Sequence, residues 1–279
     1  MQNQEENLIA PRQLRNAAIE SATQAIQIAR QHHASVGQHR AMRRLTAGPF
    51  VIVQVLLLPA LFCSWLLIGE PLILSFWNDC IQFWLTRLDI PLQARQQTGA
   101  MSTLHFGWIG AANASYMPSF TTKLGSALAT FVVFALTSNM SKDRLPLQYL
   151  LRIVCVVQAL ALLFFWYAPS QFPYSLPDHM RDIISMGSVL MLAIPVMLAI
   201  GYYLLDVSLT LKIANTVFML SYFILMIPHK VVLHTLILYK MSLLYMPVLY
   251  ICFGAVFDML LFVALYSWAI SLVPERVTG

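Results

Sequence analysis

The chain has 279 residues, 59% of them hydrophobic and only 10% charged, with a mean hydropathy of +0.69. A soluble domain carries about 25% charged residues and buries at most about 75% of its surface at this size, so a soluble globule is excluded and lipid must solvate the remainder. The net charge of +5 is uneven: Arg12, Arg15, Arg30, Arg40, Arg43 and Arg44 precede the first apolar run, which reads as a positive-inside signal and an affinity for anionic headgroups, not as nucleic-acid binding.

Residues 1–48 are expected to be a cytoplasmic, basic N-terminal segment, and the absence of an apolar core there predicts that no cleavable signal opens the chain. Within it, 11–31 repeats Leu14, Ala18, Ile19, Ala22, Ala25, Ile26 and Ala29 at helical spacing, a weak apolar stripe. That helix is expected on the inner headgroups, on a partner, or packed on its own membrane domain. His32, His33, His39 and the arginines around them read as a basic tether.

The rest, 49–274, reads as an all-α polytopic membrane domain of about six spans. Pro49–Ile68 holds no charge and is long enough to cross about 30 Å of hydrocarbon. Gly69-Glu70-Pro71 is expected to end it on the outer side. In 71–89, Ser75, Asn78, Asp79, Gln82, Thr86 and Asp89 share one helix face, with Trp77 and Trp84 among apolar residues opposite. The spacing predicts an amphipathic outer-leaflet helix anchored by both indoles, and a surface for a protein partner. Leu104, Phe106 and Trp108 alternate with His105 and Gly107, as in a short strand. Asn113-Ala114-Ser115 is a formal glycosylation sequon on the same side.

The second span is 121–138, where Gly125, Ala129, Ser126 and Thr130 offer a small-residue face for helix packing. Lys142, Arg144 and Arg152 mark a cytoplasmic turn. The third span, 147–168, ends at Trp166 and Tyr167 as interface anchors. Pro169, Pro173 and Pro177 then indicate an outer loop to residue 182. Its Asp178-His179-Met180-Arg181-Asp182 run is read as a solvated loop capping the next helix, in preference to an acid/base site. The fourth span, 183–205, has Pro195 at its centre. The fifth, 212–228, follows a turn bounded by Asp206 and Lys212.

Residues 228–246 contain His229, Lys230, His234 and Lys240, and their polarity predicts a half-inserted or interfacial helix. Lys230 and His234, four apart, share a face; Lys240 can snorkel to the headgroups. The last span, 247–273, holds Asp258, with Trp268 as an anchor near its far end. An ionisable group at that depth is costly, which makes Asp258 the first residue to explain.

Cys63, Cys80, Cys155 and Cys252 are far apart and show no metal spacing, so neither metal nor cofactor is expected. Three functions stay open. The first is a non-catalytic subunit or scaffold of a cell-envelope assembly, docked through 11–31 and 71–89. The second is a proton- or ion-coupled carrier using Asp258, with Lys230 or His234 as counter-charge. The third is a membrane enzyme handling a lipid-linked substrate through His229 and His234. The expected location is a bacterial inner membrane with the N-terminus in the cytoplasm.

Overall fold

The computed structural model describes Gln24 and residues 49–98, 105–111, 117–204 and 208–271. The N-terminal helix, the basic tether, the sequon and Asp206 lie outside the described residues. Six helical stretches are long and apolar enough to cross a membrane: Ile52–Arg87, Phe120–Ser138, Leu145–Tyr167, Leu176–Tyr202, Leu209–Lys240 and Leu243–Ser271. The chain is an all-α polytopic membrane protein, as its composition requires.

The first helix, α1 (Pro49–Arg87), runs for 39 residues through Pro59 and Pro71. It does not stop at Gly69-Glu70-Pro71, and the separate outer-leaflet helix expected over 71–89 is a continuation of the first span. The reason is packing. Leu66, Ile73, Leu74, Trp77, Ile81 and Leu85 recur on one face and are buried in the core. Proline is tolerated within membrane helices where neighbours satisfy the freed backbone groups. The helix ends at Asp89, whose φ of 53° is left-handed, while Ile90 N–H donates to Leu85 O at 3.0 Å. This is a Schellman-type stop, with aspartate where glycine is more usual.

An antiparallel hairpin follows, β1 (Leu92–Thr98) with β2 (His105–Ala111), in register Leu92↔Ala111 to Thr98↔His105. Two strands alone are marginal; β2 packs against α1 and the fourth helix, and Ala111 is buried.

Helices α2 (Phe120–Ser138) and α3 (Leu145–Tyr167) form a peripheral pair. Ser119 caps α2, its hydroxyl accepting from Thr122 N–H at 3.1 Å. Of the expected small-residue face, only part meets α3. Gln158 Nε2 donates to the buried Ser126 Oγ at 3.0 Å, whereas Gly125 and Ala129 are exposed. Gly125 has nothing within 4 Å of an added Cβ.

The interior helices are α4 (Leu176–Leu204) and α5 (Leu209–Lys240). They pack on each other and on α1. On α4 the buried stripe is Leu176, Met180, Ile183, Leu190, Ile194 and Leu198; on α5 it is Met219, Phe223, Ile227, Val231 and Leu238. Gly187 is where the two axes come close: a Cβ there would sit 2.8 Å from Ile227 Cγ2. α5 continues through Pro228, so the expected interfacial helix over 228–246 is instead the second half of the fifth span.

The last span has three parts: α6 (Met246–Tyr250), a π-helical turn at Ile251–Ala255, and α7 (Val256–Ser271). Gly254 (φ −84°, ψ −122°) leaves helical geometry altogether.

Candidate functional site

The stripe that α5 turns to the core is apolar through its middle, with Lys212 and Thr216 buried near its start and Lys230, His234 and Thr235 buried in its second half. These polar groups sit where the helical period demands apolar ones, so they need partners. α7 supplies one. Asp258, Phe262 and Ala269 are its buried residues, and Lys230 Nζ donates to Asp258 Oδ2 at 2.5 Å with both side chains almost fully enclosed. Asp258 lies in the first turn of α7, where the unpaired N–H groups of a helix start favour negative charge. Its second oxygen, Oδ1, accepts no hydrogen bond among the described residues.

The regular hydrogen-bond ladder of both helices is interrupted beside this ion pair, although α5 stays helical through Pro228. On α7 the interruption is the π turn ending at Ala255. On α5 it is Pro228, which has no N–H and leaves the carbonyl of Ile224 without its helical donor. The Trp77 indole fills that gap: Nε1 donates to Ile224 O at 2.8 Å. Trp77 is therefore a core residue, 1% exposed, and not the interface anchor that its spacing predicts. Trp77, Ile81 and Leu85 bury one side of 71–89 in the chain's own core, while Leu72, Phe76, Phe83 and Trp84 are exposed. Trp84, Trp166 and Trp268 are exposed, as lipid-facing or headgroup-facing indoles would be.

The second group is a pair of histidines. His179 Nε2 and His234 Nδ1 are 3.2 Å apart, and both residues are buried. His179 lies in the first turn of α4, which begins at Leu176; the expected loop to residue 182 ends several residues earlier. Ser175 and Asp178 bond to each other across the helix start, so the cap lies at Ser175, ahead of the expected run, and Asp178 to Asp182 are helical. The signal for His179 was present in the sequence: Leu176, Met180 and Ile183 put residue 179 beside a buried stripe. Tyr250 on α6 stands next to His179, ring centroids 6.0 Å apart.

The remaining basic residues do not join this cluster. His229 is exposed, its Nδ1 donating to Leu225 O at 2.7 Å and its ring edge-on to Trp84. His234, five residues on, is by contrast buried. Lys240 is exposed at the end of α5, over the Tyr239 ring at 5.5 Å. Among the described residues no three His, Cys, Asp or Glu side chains are grouped to hold a metal, and all four cysteines are free. An open apolar groove of about 590 Å³ lies elsewhere, between α2 and α3, lined by residues such as Phe131, Cys155, Leu163 and Trp166.

The arrangement can exchange a proton for an ion pair. While Asp258 is ionised it holds Lys230 across the α5–α7 boundary. A proton on the carboxyl removes that attraction and frees the ammonium, beside the kink at Gly254 and the missing amide of Pro228. No family profile matches the chain, and neither the curated proteins nor the solved structures compared with it give a match.

Proposed function

We propose that the chain is a proton- or cation-coupled carrier of small molecules, with Asp258 as the coupling acid and Lys230 as its counter-charge. One observation carries this reading: a buried ion pair is made by two helices, one kinked at Gly254 just before Asp258 and the other lacking a backbone donor at Pro228 just before Lys230. Carriers place ion and substrate sites near mid-membrane on discontinuous helices, where freed backbone groups help to bind charge. A charge pair that only glued helices together would need no such interruptions. We place the chain in a bacterial inner membrane with its N-terminus inside, from the arginines before α1 and from Lys142, Arg144 and Lys212 at turns of the same side.

The test uses the full chain in liposomes, with an interior pH dye and an imposed membrane potential. Wild type should take up protons, and Asp258→Asn should lose that uptake while keeping its helical content. Undiminished uptake by the variant would end the proposal.

A second reading, a non-catalytic subunit of an envelope assembly, draws on α1. Its exposed large apolar side chains run from Ile52 to Trp84, roughly 48 Å of helix axis, against about 30 Å of hydrocarbon. A strong tilt or a protein neighbour must cover the excess. A homogeneous, stable species without partners after mild extraction speaks against the neighbour.

A further inference from the structure

The imidazoles of His179 and His234 meet head to head. Their planes are 20° apart and their centroids 5.4 Å apart, with 3.2 Å between the facing nitrogens. The centroid separation exceeds the nitrogen separation by about twice the distance from a ring's centre to its own nitrogen. The two nitrogens therefore lie on the line joining the rings, in nearly one plane. That is the geometry of an N–H···N hydrogen bond rather than of face-to-face stacking. One proton sits between the rings, and among the described residues the second nitrogen of each ring has no hydrogen-bond partner.

Position along the bundle gives the pair a direction. His179 is in the first turn of α4, among the exposed Asp178 and Arg181 and the half-buried Asp182. His234 is six residues before the end of α5, and Lys230 is one further turn inward, about 6 Å along the axis. Tyr250 from α6 flanks His179, and Lys230 shares the buried side of α5 with His234. Polar groups thus step from the acidic rim of α4, through two imidazoles, to the ion pair.

We propose that His179 and His234 form a proton relay that supplies Asp258 from the side of the 168–175 loop. This rests on the reading of Asp258 as the coupling acid. In the relay, His179 takes a proton on Nδ1 from water at the rim and gives its Nε2 proton to His234 Nδ1. His234 releases the proton on its own Nε2, through water, to Asp258 Oδ1. One proton enters, one leaves, and both rings end neutral in the other tautomer; each ring returns to the start by giving its Nδ1 proton to water and taking one from water on Nε2. His179 and His234 are positioning and transfer groups, and only Asp258 stores the proton.

The experiment follows the Asp258 carboxyl by infrared difference spectroscopy on the full chain in liposomes, its band identified by loss in Asp258→Asn. A pH drop is applied to the compartment facing the 168–175 loop. Wild type and His179→Gln should reach the same final protonation, but the variant at least about tenfold more slowly, since a positioned proton-transfer group contributes this much or more. His234→Gln should behave alike. Equal rates in wild type and variants overturn the relay and leave Asp258 as coupling acid. A wild-type carboxyl that never responds overturns both. Should the glutamine variants fail to fold, wild type labelled with ¹⁵N-histidine decides by magnetic resonance. Coupling across an N–H···N bond between the two rings is expected, and its absence overturns the relay.

Discussion

The junction of Trp77, Ile224 and Pro228 makes the sharpest prediction. Trp77→Phe keeps a large ring in the core but removes the donor that Ile224 O accepts at 2.8 Å. A buried carbonyl left without a partner costs about 1–3 kcal/mol, so the variant should lose that much stability plus a small packing difference. Pro228→Ala restores a backbone N–H that can reach the same carbonyl, making the indole bond redundant. In that background Trp77→Phe should cost only its packing part. The difference between backgrounds should be about 1–2 kcal/mol, within the range found for groups sharing one hydrogen-bond network. The measurement is equilibrium unfolding of the purified protein in mixed micelles for all four chains. Equal costs of Trp77→Phe in both backgrounds would show that the indole does not replace the missing amide, and the account of α5 continuing through Pro228 would fail.

Three further predictions use the same unfolding assay. Lys230→Met leaves Asp258 enclosed and unpaired and should destabilise by about 3–5 kcal/mol, while the double change with Asp258→Leu should recover most of the loss; simple additivity refutes the pairing. Gly187→Ala places a Cβ 2.8 Å from Ile227 Cγ2 and should cost about 1–3 kcal/mol, less when Ile227→Ala makes room; an equal cost there would mean that the axes are not close. Asp89→Gly should stabilise by up to about 1 kcal/mol by relieving the left-handed residue at the end of α1, and a loss of stability would mean that the aspartate side chain holds that turn.

The spans were legible because lipid leaves few options: an apolar run of sufficient length must be helical and must cross. Their ends were less so. Proline and glycine at 69–71 and at 228 were read as boundaries by local rules, but the structure continues through both. At Pro228 the missing amide is replaced by an indole 147 residues earlier in the chain. No local pattern can report such a bond. A buried acid has few possible cations, so the sequence narrowed the partner of Asp258 to Lys230 or His234, and the structure pairs it with Lys230. His179 escaped because three charged neighbours made its segment look like a loop, when only one side of that turn meets water. Trp77 escaped for a related reason. Indoles at helical spacing suit both a headgroup belt and a packed core, and only the neighbours decide.

The distance in sequence between α1 and its partners also sets a clock on assembly. Trp77 enters the membrane long before Ile224 has been made, 147 residues later. At ordinary synthesis rates of about 5–20 residues per second, that interval lasts roughly 7–30 s. Through it the first helix waits without α4 and α5, with Glu70 and Trp77 facing surroundings other than their final ones. A nascent chain of this design depends on whatever shelters that face in the meantime, and a truncation before α5 would leave it uncovered for good.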